Sequence, residues 1–104
     1  MRVELRRRDG QRIVVTATIA DYSARPWRKT LIPTTLLANL AHHGEPLCDH
    51  LWIEGRFTEK WKHKKIRFTA KVIPYRRRDY SLDYKLINVS DVKVIGDGEI
   101  HGII

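Results

Sequence analysis

The sequence predicts an all-β fold, a small barrel built from five strands. Runs of β-branched residues alternate with polar residues, and short turn motifs separate these runs. No long stretch of the sequence has helical periodicity. With 104 residues, 42% of them hydrophobic and 31% charged, the chain can bury one modest core and is too apolar for a disordered basic tail. We therefore expect one domain over residues 1–96 and a flexible tail over residues 97–104.

The first strand is predicted from Arg12 to Tyr22, because this segment is rich in β-branched residues. Residues two apart share a face, and four of them are apolar: Ile13, Val15, Ala17 and Ile19. The dipeptide Asp9-Gly10 before the strand predicts a hairpin turn. The segment Ser23–Arg28 after it is predicted as a loop, because Pro26 has no amide hydrogen to donate.

The segment Lys29–Ala41 allows two interpretations, a short helix or a strand. We favour a strand that returns through a hairpin at residues 42–45, because strand-like residues follow in Leu47–Glu54. In that next strand Leu51 and Ile53 share one face, and the face of Trp52 is left open.

Ile66–Tyr75 is the clearest strand, and Phe68 is in phase with its apolar residues. The polar connection before it, residues 55–64, contains Phe57 and Trp61 at helical spacing, which predicts that both pack on the core. A last strand is expected from Tyr84 to Ile95, with a bulge at Asn88–Asp91.

Five strands of this kind fit the oligonucleotide/oligosaccharide-binding (OB) fold best, and an SH3-like barrel is the structural alternative. In the OB arrangement Tyr22–Arg28 and Tyr75–Tyr84 would form the two loops that flank the binding groove. Each of these loops contains arginine together with an aromatic residue.

Positive charge is concentrated in one window, Arg56–Arg78, which has ten basic residues and one acidic residue. Ten minus one gives +9, whereas the whole chain has a formal net charge of +8. A local field of this strength indicates a polyanionic partner, most often nucleic acid.

The sequence therefore predicts a single-stranded DNA or RNA binding module with little sequence preference. Single strands are bound by a positive groove together with aromatic side chains on which the bases stack. The candidate binding residues are Trp27, Arg28, Arg67, Lys71, Tyr75, Arg76, Arg77, Arg78 and Tyr80. The alternatives are an adaptor that docks on an acidic protein partner and a cationic host-interaction or defence factor. DNA and RNA are not distinguished.

The histidines and the single cysteine could bind a metal ion or take part in catalysis, but a structural histidine and a buried cysteine are commoner. His42, His43, Cys48 and His50 could share a metal ion across a hairpin, but the sequence has no CxxC pair. His50, His63 and Lys65 are residue types that a ribonuclease would use. Neither set has diagnostic spacing, so we predict no metal, no cofactor and no enzymatic activity.

The single cysteine and the charged N-terminal segment predict a protein of the reducing cytoplasm with no membrane partner. Its oligomeric state is left open, a homodimer being one option.

The order of residues in the C-terminal half resembles that of small, mostly uncharacterised OB-fold-like proteins of bacteria, phages and plasmids. The resemblance rests on an Asp-His-x-Trp strand at Asp49–Trp52 and a late Tyr-x-Leu strand at Tyr84–Leu86. It implies the barrel, and it implies no particular activity.

Overall fold

A computed structural model describes residues 3–98, without the side chain of Val3. The six residues 99–104, which belong to the predicted tail, lie outside this range. In chain order the elements are helix α1 (Val3–Arg6), strands β1 (Arg12–Trp27), β2 (Thr30–His42) and β3 (Glu45–Glu54), a 3₁₀ turn (Glu59–Trp61), and strands β4 (Lys64–Arg76) and β5 (Leu82–Asp97).

The five strands form one antiparallel sheet in the order β3-β2-β1-β4-β5. Strand β1 pairs with both β2 and β4, so the chain crosses from β3 to β4 through residues 55–63. Strands β3 and β5 are the two edges and run in the same direction, because each is related to β1 by two antiparallel pairings. Within residues 3–98 these edges are not paired with each other, so the sheet is not closed. The all-β prediction is confirmed.

One hydrophobic core lies on the inner face of the curved sheet and receives residues from all five strands. Alternate residues of β4 enter it, and Phe68 at its centre is fully buried. The predicted inward faces of the first, third and fourth strands are confirmed by the buried positions Ile13, Val15, Ala17, Ile19, Leu47, Leu51, Ile53, Ile66, Ala70 and Val72.

The predicted loop at residues 23–28 is wrong, because β1 continues to Trp27 and pairs with β2 over this segment. Pairing of β1 with β4 ends at Thr18. Within residues 3–98, β1 beyond Thr18 pairs with no strand other than β2, and the β3–β4 connection contacts it only as far as Tyr22. Pro26 lies past these contacts, where its missing N–H leaves no ladder bond unmade. The residues between the strands are Arg28 and Lys29, at the end of a protruding two-stranded arm.

The predicted hairpin turn at Asp9-Gly10 is also wrong. Residues 3–6 form a single helical turn whose Leu5 is fully buried. Gly10 does have a positive φ of 79°, and its amide donates a hydrogen bond to the Val72 carbonyl. The turn at Asp9-Gly10 therefore joins α1 to β1, and of residues 4–10 only Leu5 is buried in the core.

The preference for a strand over a helix at residues 29–41 is confirmed by β2. A two-residue turn, His43-Gly44, follows it, and both residues have positive φ, 48° and 80°. This geometry is typical of hairpin turns whose twist matches that of the flanking strands.

The predicted bulge in the last strand is confirmed. The register between β4 and β5 shifts on both sides of the Thr69–Ser90 pair, and Asn88 and Asp91 each have φ of 54°. β5 continues through Asp97, and the Gly98 amide donates to the His63 carbonyl.

The connection between β3 and β4 packs on the core as predicted from its aromatic residues. The Phe57 and Trp61 ring centroids are 6.2 Å apart, and both side chains are half-buried against the core. Within the part of the chain that is described, no helix is long and apolar enough to cross a membrane.

Candidate nucleic-acid interface

A cleft of about 960 Å³ lies between the open edges of the sheet, with β3 on one side and β5 on the other. The arm of β1 and the end of β4 complete its walls through Arg25 and Tyr75. The cleft therefore connects the β1–β2 arm with the β4–β5 hairpin, the two regions that the sequence predicts on either side of a groove.

Three aromatic side chains from residues 3–98 line the cleft. Trp52 is 46% exposed, because its neighbours Leu51 and Ile53 point into the core and strand periodicity turns it outward. Tyr75 is half-buried, and its hydroxyl donates to Asp83 Oδ2 at 3.5 Å. Phe57 lies at the entrance from the β3–β4 connection. Trp52 is thus the aromatic ring of the cleft that is most available to a ligand.

Among the described residues, three basic side chains and one carboxylate, that of Glu54, line the same cleft; the basic residues are Arg25, Arg56 and Lys85. Arg25 forms an ion pair with Glu54. Lys85 Nζ lies 5.4 Å from the centroid of the Tyr75 ring, which places a cation beside a stacking surface. Three cations against one carboxylate leave the cleft positively charged.

Arg56 is held at the cleft by the aromatic ring of Tyr22, with Arg56 Cζ 5.1 Å from the ring centroid. The Tyr22 hydroxyl donates to the Thr58 carbonyl at 2.7 Å, which fixes the ring against the β3–β4 connection. Partial burial raises the pKa of this hydroxyl, so it stays protonated as a donor. Arg56 also lies 3.5 Å from Glu59, an exposed contact of little energetic weight.

At the end of the β1–β2 arm, Trp27 is 51% exposed. The Cζ atoms of Arg25 and Arg28 lie 5.9 and 5.5 Å from its ring centroid. The structure therefore brings the predicted pair Trp27 and Arg28 next to Arg25, which lines the cleft.

The β4–β5 hairpin gives its three arginines different roles. Arg77 donates to the buried carboxylate of Asp83, and this partner raises the pKa of the guanidinium above its ordinary value. Arg76 donates to the Tyr80 carbonyl at 3.0 Å. Among the described residues Arg78 has neither an ion pair nor a hydrogen bond, and it projects into solvent. The prediction that Arg77 contacts phosphate is not supported by this geometry, because its charge already balances a buried carboxylate.

Tyr80 and Asp79 form the turn of this hairpin. Tyr80 is 81% exposed at a φ of 67° and does not line the cleft. Asp79 accepts hydrogen bonds from the hydroxyl and the amide of Ser81, and these bonds lower the pKa of its carboxyl. The turn is therefore organised by its own side chains.

Arg67 and Lys71 lie on the exposed face of β4, and neither lines the cleft. Their nearest cross-strand neighbours include Arg12 on β1 and Lys93 on β5. The nine predicted residues thus fall on three surfaces: the cleft with its β1–β2 arm, the β4–β5 hairpin, and the exposed face of β4. The prediction of one continuous groove formed by all nine residues is not supported.

The sequence analysis did not select four cleft residues: Arg25, Trp52, Arg56 and Lys85. A signal existed for Trp52, which is out of phase with the apolar residues on either side. Lys85 and Arg56 carry no such signal, because their approach to the cleft depends on how the two sheet edges face each other.

The histidine and cysteine residues considered as metal ligands do not converge. His42 Nδ1 lies 2.7 Å from the Val14 carbonyl, its ring centroid is 4.1 Å from that of His43 with the two planes tilted by 50°, and Cys48 is partly buried against the core. No group of three or more His, Cys, Asp or Glu side chains within residues 3–98 is arranged to hold a metal ion.

Comparison of the chain with protein families, with curated proteins and with solved structures finds no match.

Proposed function

We propose that this protein binds single-stranded nucleic acid in the cleft between β3 and β5, with little sequence preference. The observation that carries the proposal is an exposed tryptophan, Trp52, in a positively charged cleft. A ring of this kind stacks on any base, and the surrounding cations attract the phosphates.

The strand order supports an OB-like barrel that is open between its third and fifth strands. The OB fold is a partly open five-stranded Greek-key barrel that binds ligands on its second and third strands and on the loops 1–2 and 4–5. In the present sheet β1 has β4 as a neighbour although β2 and β3 come between them in sequence, which favours the OB-like arrangement over an SH3-like meander.

In the proposed complex, bases stack on Trp52 and Tyr75, while Arg56 and Lys85 contact the phosphates. Arg25 contributes when a phosphate replaces Glu54 as its partner. Both side chains are about half exposed, so breaking their ion pair costs little free energy. Trp27 and Arg28 extend the surface along the β1–β2 arm.

The stacking contribution is tested by fluorescence anisotropy with a labelled 15-nucleotide oligothymidine. Trp52→Ala is expected to weaken binding by about 5- to 150-fold, because stacking contributes roughly 1–3 kcal/mol per base. Trp52→Phe should restore most of the affinity, since a flat ring remains. Tyr80→Ala is the matched control: it removes an aromatic ring that is outside the cleft, and we expect less than about a twofold change.

The charge contribution is tested with two exposed basic residues of the β3–β4 connection. Arg56 lines the cleft and Lys60 does not. Arg56→Ala should reduce the salt dependence of binding by about 0.7 units per lost phosphate contact, and Lys60→Ala should leave it unchanged. Equal salt slopes in both variants, with full affinity in Trp52→Ala, would refute the proposed site.

The second candidate function is an adaptor that binds a peptide strand of an acidic protein. It is favoured by one observation: within residues 3–98 the edges of β3 and β5 on either side of the cleft have no strand partner, and exposed edges accept extended peptides. A peptide that pairs through its backbone would still bind the Trp52→Ala variant, whereas a single-stranded nucleic acid would bind it more weakly. The same variant therefore separates the two functions.

A further inference from the structure

A second basic surface lies on the outer side of β1, β4 and β5. We call it the cationic face, and its residues are Arg12, Lys65, Arg67, Lys71 and Lys93. On β4 these side chains alternate with the buried residues of the core, so strand periodicity directs all of them to solvent. From Lys65 to Lys71 the face extends for about 20 Å along the strand, at roughly 3.3 Å per residue.

Two pairs within the cationic face place like charges directly opposite each other. Arg12 is the cross-strand partner of Lys71, and Arg67 is the partner of Lys93. Directly opposite side chains in an antiparallel pair are close neighbours, and like charges at such positions destabilise a sheet. The fold thus retains electrostatic repulsion in both pairs, although an opposite charge at one position of each pair would stabilise the sheet.

Among the described residues, no carboxylate lies within ion-pair distance of this surface. Arg12 donates hydrogen bonds to the Asn88 carbonyl and the Ser90 hydroxyl, which are both uncharged acceptors. Within residues 3–98 none of the five cations forms an ion pair with a carboxylate. Elsewhere basic side chains do have acidic partners, in the pairs Arg8–Glu45, Arg25–Glu54, Lys62–Asp21, Lys64–Asp97 and Arg77–Asp83. The cationic face is left for an external polyanion.

The chemistry of the face favours a duplex over a single strand. Between its cations lie Val14, Thr16 and Thr69, and no aromatic residue interrupts them. A single strand bound there would leave its bases without a stacking partner. A duplex keeps its bases in its own stack and presents phosphates alone, with one charge per roughly 1.7 Å of axis.

The cationic face is continuous with the cleft. Ile87 lines the cleft and is the cross-strand partner of Lys71. Tyr75, which also lines the cleft, lies on the same side of β4 as Lys71, four residues further along the strand. A nucleic acid that leaves the cleft at β5 therefore meets the cationic face next.

We propose that the cationic face binds the phosphate backbone of a duplex segment while the cleft binds the adjoining single strand. The preferred substrate is then a junction between single-stranded and double-stranded nucleic acid. This inference rests on the proposed function of the cleft, and it assigns a partner to Arg67 and Lys71, two of the predicted binding residues that do not line the cleft.

The experiment compares four labelled DNA probes: a 15-nucleotide oligothymidine, a 15-base-pair duplex, and this duplex with an oligothymidine extension at either the 5′ or the 3′ end. The wild-type protein is expected to bind one of the two junctions at least about tenfold more tightly than either simple probe. Arg67→Ala/Lys93→Ala should abolish this preference and change the affinity for oligothymidine by less than about twofold.

The control variant Arg7→Ala/Lys60→Ala removes the same number of positive charges outside both surfaces and should retain the junction preference. Circular dichroism verifies that all variants are folded. The inference is overturned if the wild-type protein shows no junction preference, or if Arg67→Ala/Lys93→Ala weakens oligothymidine binding as much as junction binding. Trp52→Ala distinguishes failure of the cleft proposal from failure of the junction proposal. If the cleft does not bind single strands, Trp52→Ala binds oligothymidine as tightly as the wild-type protein does, and this result does not depend on how the duplex probe binds.

Discussion

The repulsion within the cationic face makes a prediction about stability that does not require any ligand. Arg67 and Lys93 are directly opposite each other on β4 and β5. Lys93→Glu replaces this like-charge pair with an opposite-charge pair. We therefore expect the variant to be more stable than the wild-type protein, although it carries an acidic residue in a basic surface.

The expected gain in the free energy of unfolding follows from the solvent exposure of Arg67 and Lys93. Cross-strand charge pairs contribute roughly 0.2–1 kcal/mol, and exposed pairs lie toward the lower end of that range. Removal of the repulsion and gain of an attraction together give about 0.5–1 kcal/mol. For a domain of this size the melting temperature should rise by about 2–8 °C. Asp91, two residues before Lys93, opposes part of this gain.

The assay is thermal and urea denaturation followed by circular dichroism at low salt and again at 0.5 M salt, where the gain should shrink. Lys60→Glu is the control, because it changes the net charge equally and has no cross-strand basic partner. Its stability should not increase, which separates the local pair from the general reduction of charge repulsion.

A double-mutant cycle completes the test. Arg67→Glu should stabilise the protein in the same way, whereas Arg67→Glu/Lys93→Glu restores a like-charge pair and should lose the gain. Additive effects in this cycle would refute the reasoning, because they would show that the two side chains do not interact. If the junction inference holds, Lys93→Glu also weakens duplex binding, so the substitution that stabilises the fold impairs its function.

Two further predictions concern the core and the β4–β5 turn. Phe68→Ala should destabilise the protein by about 3–5 kcal/mol in urea denaturation, because it removes a fully buried ring from the centre of the core; a loss below about 1 kcal/mol would contradict the position of this ring. The pKa of Asp79, measured by carboxyl NMR titration, should lie below 3.8 and should move toward 3.8 in Ser81→Ala, which removes the hydroxyl donor. Because the folded-state pKa is lower than the unfolded-state value, ionised Asp79 stabilises the fold above about pH 3.8, and this contribution is lost as the pH falls through the folded-state pKa. An unchanged titration in Ser81→Ala would show that the hydroxyl does not hold the carboxylate.

The local features of the fold were predictable where one residue pattern allowed one structure. Alternating apolar residues identified the inner faces of β1, β3 and β4, and the position of Phe68 followed from its phase. The hairpin at His43-Gly44 and the bulge between Asn88 and Asp91 depend on local backbone conformation, which short sequence motifs describe well.

The errors occurred where a neighbouring strand decided the outcome. Pro26 suggests a loop by itself, but beyond Thr18 strand β1 pairs with β2 alone, so a proline is tolerated in the strand. Asp9-Gly10 suggests a hairpin, but Val3–Arg6 before it forms a helical turn, and among side chains 4–8 only Leu5 is fully buried. Similarly, Arg77 is part of a basic run in the sequence, and only the fold brings it to the buried carboxylate of Asp83.

The sequence by itself determined the all-β class, the single core and the presence of a strong local positive charge, because these depend on composition and on residue periodicity. The tertiary structure decided how that charge is divided. Strand order brings Arg56 and Lys85 to one cleft although they are 29 residues apart, and cross-strand register places Arg67 opposite Lys93 on another surface. Contacts of this kind depend on which strands become neighbours, and periodicity within a strand carries no information about its neighbour's register.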